Sequence, residues 1–114
     1  MKNAILGSHY SLSVAFVDSK EMQRINGSYG KRRESTDVLS FPLGRAGGEL
    51  IFSLSDVERK SADFGMKPRE YFRYLIVHSL VHLKGFDHGR KMDALEKRFC
   101  RRFKIAYPSD FEAR

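Results

Sequence analysis

Cysteine and long apolar segments are both scarce in this chain of 114 residues, and each scarcity excludes a class of protein. The single cysteine, Cys100, cannot form an intramolecular disulfide, which argues against a disulfide-stapled secreted domain and is typical of a reducing cytoplasm. No apolar run approaches the roughly 18 residues that a membrane span needs. Residues 1–7 contain no long apolar core before a cleavage site, so we expect no secretory signal. The composition predicts a cytoplasmic protein that does not bind membranes.

Acidic residues are also in deficit, since 14 of them face 21 lysines and arginines and leave a net charge of +7. The excess is concentrated in residues 31–33 and in residues 89–104, where seven basic side chains face only Asp93 and Glu96. Such concentration favours a polyanionic partner, most commonly a nucleic acid. On charge alone, a solvated helix face that merely keeps the protein in solution explains the pattern equally well.

The hydrophobic patterns predict one interleaved α+β domain over residues 1–114, without repeats or linkers. Nearly every position between Tyr71 and Leu83 is apolar, so the helix that contains them must be enclosed by the rest of the fold. We expect this helix to be the centre of the domain. On the predicted helix of residues 19–28, we expect Met22 and Ile25 to be buried. The predicted strands are residues 10–17, 36–41 and 49–54. Helices are predicted at about 19–28, 68–84 and 91–105. A further helix is capped by Ser55-Asp56 and runs to about residue 64.

Three of the four histidines lie within residues 77–88. If this segment begins as a helix, His78 and His82 project from the same face, because they are four residues apart. Gly85 can end the helix in a left-handed conformation, and the next residues bring His88 back over that face. One such histidine would more simply be a hydrogen-bonded core residue. Three imidazoles that converge, with a fourth position left for water, predict a catalytic zinc site.

The position after the first histidine holds Ser79, where metalloproteases with the H-E-x-x-H signature have their general base. Peptide hydrolysis by that mechanism is therefore disfavoured, whereas a phosphodiester suits a metal beside basic groups. Asp87 either orients a histidine from behind or forms the turn. Cys100 fits no zinc-finger spacing and is interpreted as a core or surface thiol. Three imidazoles also accept nickel, cobalt or copper, so the sequence leaves the metal open.

Residues 78–88, H-S-L-V-H-L-K-G-F-D-H, resemble the hallmark H-G-x-L-H-L-x-G-Y-D-H of the YbeY-type endoribonucleases, also described as rRNA maturation factors. All three histidines, Gly85 and Asp87 match, while Ser79 and Phe86 depart from the family pattern. Upstream, Ile25-Asn26 with Tyr29, residues 36–42 (T-D-V-L-S-F-P) and residues 48–53 (G-E-L-I-F-S) are similar to further family motifs, and the likeness extends from about residue 12 to 96.

The resemblance implies an α+β fold with a four-stranded mixed sheet packed by helices around the histidine-bearing helix. It also implies metal-dependent cleavage of single-stranded RNA, with the small ribosomal subunit and its rRNA as partners. The family's arginine after the tyrosine is Gly30 here, so stabilisation of the phosphate would pass to Lys31, Arg32 or Arg33. The implied ligands of one zinc ion are His78, His82 and His88. Flanking RNA would lie along the last helix, on Arg98, Arg101 and Arg102.

Two alternatives remain open at this point. The chain can be a ribosome-assembly factor whose metal is structural and whose work is binding, in which case removing the metal lowers thermal stability. It can also be a zinc hydrolase of another substrate, such as a small ester or a peptide.

Overall fold

The architecture, taken from a computed structural model, is described for residues 1–29, 35–86 and 89–108. Two helices and three strands are interleaved up to residue 53, three helices follow, and the α+β class is confirmed. None of the described helices combines the length and the apolarity needed to cross a bilayer. In chain order the elements are α1 (Lys2–Leu6), β1 (Ser11–Val17), α2 (Ser19–Ser28), β2 (Val38–Pro42), β3 (Gly47–Ser53), α3 (Leu54–Asp63), α4 (Pro68–Leu83) and α5 (Arg90–Arg102).

Strand β3 is the centre of the sheet, with β1 parallel on one side and β2 antiparallel on the other. Its nearly continuous apolar sequence follows from this position, since both of its faces are covered. Leu50 and Phe52 pack into the main core, and Ile51 packs into a smaller cluster with Met22 and Leu39. The register pairs Ser11 with Gly47 and Val17 with Ser53 on the parallel side, and Val38 with Phe52 and Pro42 with Gly48 on the antiparallel side.

The sheet has three strands in the described part of the chain, so the four strands implied by the family resemblance are not found there. Strand β1 forms one edge, because only β3 is hydrogen-bonded to it among the described residues. Val14 and Phe16 on this strand are 47% and 56% exposed.

Helix α4 is the central helix, as predicted from its apolar sequence, and it contacts α1, α3, α5 and β2. Pro68 occupies its first turn, and the side chain of Glu70 accepts a hydrogen bond from the Lys67 backbone N–H at 3.0 Å. Gly85 follows the helix with φ 110°, a conformation that favours glycine and ends the helix where predicted. The buried residues of the helix are Tyr71, Leu75, Val77, Ser79, Leu80, Val81 and Leu83.

The predicted start of α2 is confirmed, since the Asp18 carboxylate accepts a hydrogen bond from the Glu21 backbone N–H at 2.8 Å. Met22 is buried as expected. Ile25 is only half-buried, contrary to expectation, and its neighbour Asn26 is buried instead. Ile25 still packs against the cluster that contains Met22, so the expected face of the helix does contact the core.

Helices α3 and α5 have other bounds than those predicted, and α1 is a helix that was not predicted. Helix α3 begins at Leu54 rather than after a cap at Ser55-Asp56, because Asp56 lies inside the first turn and is buried. Helix α5 ends at Arg102, three residues before the predicted end, and Lys104 follows in a left-handed conformation with φ 55°.

Candidate functional site

The histidine pocket is a cavity of about 150 Å³ that both His78 and His82 line. The two imidazoles come from one face of α4, one helical turn apart. Strand β2 supplies the opposite wall through residues 38–41, and the end of α2 supplies Asn26 and Tyr29. The helical spacing of the two histidines thus brings both side chains to a single cavity beside the sheet.

The ring of His82 is oriented by the turn that follows α4. Its Nδ1 lies 3.0 Å from the carbonyl oxygen of Phe86. Because a carbonyl oxygen only accepts, Nδ1 of His82 is the donor in this contact. Gly85 permits the chain reversal that places this carbonyl, so the glycine also contributes to the orientation of the imidazole.

The ring of His78 is oriented by a carboxylate from another helix. Its Nδ1 donates to Oε1 of Glu96 on α5, whose side chain is only 2% exposed. The hydroxyls of Tyr74 and Tyr107 each lie 3.4 Å from the other carboxylate oxygen, Oε2. Both imidazoles therefore direct Nδ1–H to an oxygen acceptor, an arrangement that is typical of metal-binding histidines.

The two tyrosines beside Glu96 remain protonated well above neutral pH. Burial raises the pKa of Tyr74, and the nearby Glu96 carboxylate raises it further. The same two causes raise the pKa of Tyr107 to about 12. Both side chains are thus neutral hydroxyl donors, which helps to offset the cost of burying the Glu96 charge.

Ser79 follows His78 in the sequence but does not line the histidine pocket. The residue is fully buried, and its hydroxyl donates to the Leu75 carbonyl at 2.8 Å. This position therefore provides neither the carboxylate of the metalloprotease signature nor a hydroxyl in the pocket.

Two of the three predicted metal ligands, His78 and His82, are thus in one place, whereas His88 and the neighbouring Asp87 lie outside the described residues. Over residues 1–29, 35–86 and 89–108, no group of three or more histidine, cysteine, aspartate or glutamate side chains is arranged to hold a metal. The two imidazoles that are present fit a transition metal, because each directs Nδ1 to an oxygen acceptor, as metal-binding histidines do.

The predicted phosphate-stabilising residues Lys31, Arg32 and Arg33 also lie outside the described residues. The residues on either side of this basic segment are placed. Tyr29 lines the histidine pocket, and the hydroxyl of Ser35 donates to Asp56. Tyr29, the described residue that precedes this segment in the sequence, thus lies at the histidine pocket.

The predicted RNA-binding arginines of α5 are all exposed. Arg98 borders a shallow surface hollow together with Lys91 and Phe86, the residue whose carbonyl holds His82. The guanidinium of Arg102 lies 5.6 Å from the centre of the Phe103 ring. Of the three arginines, Arg98 is thus the one that the structure places beside the turn after α4.

Glu96 is the site residue that the sequence analysis missed, because it was counted only as a surface charge that offsets the basic cluster. The signal was its spacing. Glu96 lies four residues after Met92 and three before Phe99, so it falls on the apolar stripe that α5 buries. A carboxylate on such a stripe needs partners, and these are the tyrosine hydroxyls and His78.

By its fold and site, the protein is a small α+β protein whose central helix presents two oriented histidines to a cavity beside a mixed sheet. Comparison with known proteins then identifies the family. The family described as Endoribonuclease YbeY matches residues 1–104, and this chain belongs to it.

Curated relatives agree with this assignment, and each is described as Endoribonuclease YbeY. The protein of Aquifex aeolicus is 37% identical over 98 residues, which is 81% of this chain and 65% of the relative. The protein of Petrotoga mobilis is 31% identical over 85% of this chain and 69% of the relative. That of Campylobacter jejuni (strain RM1221) is 34% identical over 82% of this chain and 76% of the relative. The chain thus spans about two thirds to three quarters of the length of these proteins.

A solved structure supports the fold. The solution structure of a Thermotoga maritima protein superposes with a TM-score of 0.62 over 85% of this chain and 72% of that one, at 23% sequence identity.

Proposed function

We propose that this chain is a metal-dependent endoribonuclease that cuts single-stranded RNA during rRNA maturation, on the small ribosomal subunit in the cytoplasm. The observation that carries the proposal is the pair of histidines on α4, which line one cavity with each Nδ1 held by an oxygen acceptor. Membership of a family described as endoribonucleases supports the reaction type. Residues 1–114 would act as one domain, built around this pair.

We assign the metal to His78, His82 and His88, and we propose zinc because three neutral imidazoles are a common ligand set of catalytic zinc. When bound, the metal acts as a Lewis acid toward phosphate oxygens and lowers the pKa of a water molecule to about 7. The task of the protein is to hold the imidazoles in place. Phe86 does this for His82 through its carbonyl, and Glu96 does it for His78 through its carboxylate.

Positive side chains would hold the RNA around this centre. Lys31, Arg32 or Arg33 would stabilise the scissile phosphate, a proposal supported by Tyr29, which lines the histidine pocket and precedes Lys31 by two residues in the sequence. Asp87 would either orient a histidine or form the turn. The exposed arginines of α5 would contact phosphates of the flanking strand, which predicts RNA binding that weakens steeply with salt and has little sequence preference. These arginines are Arg98, Arg101 and Arg102.

The test is cleavage of matched single-stranded and double-stranded RNA by freshly purified protein. We expect cleavage of the single strand, its loss with a chelator and its return when zinc is added. His82→Ala should reduce cleavage to the level of a mock purification. His9→Ala is the matched control, because His9 is exposed and does not line the histidine pocket. If His82→Ala cleaves as fast as the wild type, the activity belongs to a contaminant.

Elemental analysis of protein purified without a metal-affinity column identifies the metal, and we expect about one zinc per chain. A structural metal in an assembly factor would give a different outcome. Chelation would then lower the melting temperature, RNA binding would persist in the reloaded protein, and no RNA would be cleaved. Turnover of a small ester or peptide, with RNA left intact, would favour a zinc hydrolase of another substrate.

A further inference from the structure

A second cavity, of about 530 Å³, also borders His78 and is separate from the histidine pocket. Its size falls within the roughly 300–1,000 Å³ of small-molecule sites. We call it the aromatic hollow, because four aromatic rings line it beside His78. Phe64 follows α3, two of the tyrosines come from α4, and the third follows α5. These rings are Phe64, Tyr71, Tyr74 and Tyr107.

The rings form one connected wall that leads to the histidine. The Phe64 and Tyr71 rings stack at 5.5 Å between centres, and the Tyr71 and Tyr74 rings lie 6.0 Å apart. Tyr74 then meets His78 at 5.8 Å and the edge of Tyr107 at 5.4 Å. Tyr71 is a core residue, whereas Phe64, Tyr74 and Tyr107 are half-buried and keep ring surface for a ligand. Such a wall suits a flat ring.

The charges at the hollow favour a neutral ligand over a phosphate. Among the residues that line the hollow, Lys60 is the basic one; it is half exposed and its Nζ lies 3.9 Å from the carboxylate of Asp37. Outside the lining, the Nζ of Lys97 lies 5.4 Å from the centre of the Tyr107 ring. Asp37 is buried and also accepts a hydrogen bond from the Tyr71 hydroxyl at 2.6 Å. The Lys60 charge is therefore balanced within the hollow. A nucleobase, which is flat, uncharged and polar at its edge, has the chemistry that these walls match.

We propose that the aromatic hollow holds one unpaired nucleobase of the RNA strand, next to the phosphate at His78 and His82. This inference rests on the proposed function, because it assumes that RNA reaches the histidines. It also supplies a physical reason for single-strand specificity. A base that is stacked and paired in a duplex cannot enter a walled cavity, whereas a base of a single strand can.

The first arm of the test uses wild-type protein, so it does not depend on the folding of a variant. Metal-loaded protein is mixed with short single-stranded RNAs that carry one abasic position, moved along the strand, and initial binding is followed by stopped flow. We expect one position, next to the cleaved phosphate, at which removing the base weakens binding about tenfold, as for the loss of one base–aromatic stack. Positions farther away should matter little.

The second arm places the fluorescent base 2-aminopurine at the sensitive position. Its emission should be quenched on binding to the wild type and to Tyr107→Phe, which keeps the ring. Tyr107→Leu should lose most of the quenching. Phe103→Leu is the matched control, because Phe103 is also half-buried, follows the same helix and does not line the hollow. Thermal melts show whether both leucine variants are folded.

The outcomes separate the two proposals. If RNA is cleaved but no abasic position is more sensitive than the others, the aromatic hollow is not a base site and the endoribonuclease proposal stands. Equal quenching by Tyr107→Leu and wild type also overturns the base site. If metal-loaded protein neither binds nor cleaves single-stranded RNA, the proposed function fails and the base site fails with it.

Discussion

Two carboxylates, Asp56 and Glu96, are equally buried at 2% exposure, yet they lie in regions of the molecule with different tasks. Asp56 is on α3, beside the sheet, and Glu96 is on α5, behind the histidine pocket. Burying a charge is costly unless hydrogen bonds compensate it, so each carboxylate must be surrounded by donors. The identity of the donors is what distinguishes a structural region from a candidate site.

Asp56 is surrounded by groups that can only stabilise the fold. Hydroxyls of Ser19, Ser35 and Ser53 donate to its Oδ2, and Arg59 donates to Oδ1 at 2.6 Å. These serines lie at the start of α2, in the loop before β2 and at the end of β3, so the carboxylate joins three separate parts of the chain. Burial by itself would raise the pKa of Asp56, but the hydrogen bonds and Arg59 outweigh it and hold the pKa below its usual value.

Glu96 is instead held by groups that connect it to a cavity. Two tyrosine hydroxyls lie near Oε2, while Oε1 accepts from a histidine that lines the histidine pocket. A carboxylate that only stabilises the fold can be compensated by hydroxyl and guanidinium donors, as Asp56 is, whereas Glu96 also accepts from an imidazole at the pocket. The contrast predicts that losing Asp56 damages stability and spares the site, whereas losing Glu96 does the reverse.

The largest expected effect is that of Asp56→Ala on stability. The change leaves three serine hydroxyls without their common acceptor, and we expect the free energy of unfolding to fall by about 3 kcal/mol. Urea denaturation followed by circular dichroism measures it. Glu58→Ala, an exposed acid on the same helix, should cost less than about 0.5 kcal/mol. If Asp56→Ala loses no more unfolding free energy than Glu58→Ala, the hydrogen bonds of the three serines to Asp56 do not stabilise the fold.

On the proposal that His78 binds a metal, Glu96→Gln should weaken the binding of added zinc about 10- to 100-fold, because the neutral amide holds the His78 ring less firmly than the carboxylate does. Competition with a chelating dye measures the affinity, and the ¹⁵N shifts of His78 in metal-depleted protein report the loss of its Nδ1–H tautomer. Asp93→Asn is the matched control, since Asp93 is an exposed acid on α5. Unchanged zinc affinity and unchanged shifts in Glu96→Gln would remove Glu96 from the site.

A smaller effect should appear in the acid range, where Asp56 titrates. Its pKa is lowered from 3.8 by folding, so the carboxylate stabilises the protein above that value. As the pH falls below about 3.8, the unfolded chain binds a proton first and this contribution is lost. The difference in unfolding free energy between wild type and Asp56→Asn should therefore be constant from pH 7 to 5 and narrow below pH 4. A difference that grows on acidification would mean that folding raises the pKa of Asp56 and does not lower it.

The smallest expected effect is that of Tyr107→Phe on zinc affinity. The hydroxyl is one of two near Glu96 Oε2, at 3.4 Å, and a weak hydrogen bond of this kind contributes about 0.5 kcal/mol or a little more. We expect zinc affinity to fall less than fivefold, measured in the same dye competition. A loss as large as that of Glu96→Gln would mean that the hydroxyl, and not the carboxylate alone, positions His78.

Features that depend on neighbours along the chain were predictable from the sequence. Asp18 caps α2, Gly85 ends α4, and the four-residue spacing puts His78 and His82 on one face, because each depends only on backbone geometry. Side-chain burial was less predictable, since Asn26 is buried whereas its apolar neighbour Ile25 is only half-buried. That choice depends on which element packs against the helix, which local pattern does not state.

Features that join distant parts of the chain were decided only by the tertiary structure. Sequence patterns indicate strands but not which strands pair, so the position of β3 between β1 and β2 came from packing. Glu96 reaches His78 across 18 residues, and Asp56 reaches Ser19 across 37. By itself, the sequence determined a central apolar helix with two histidines on one face and a glycine at its end. The tertiary structure decided which buried charge orients a histidine, because burial and its compensation depend on elements brought together by folding.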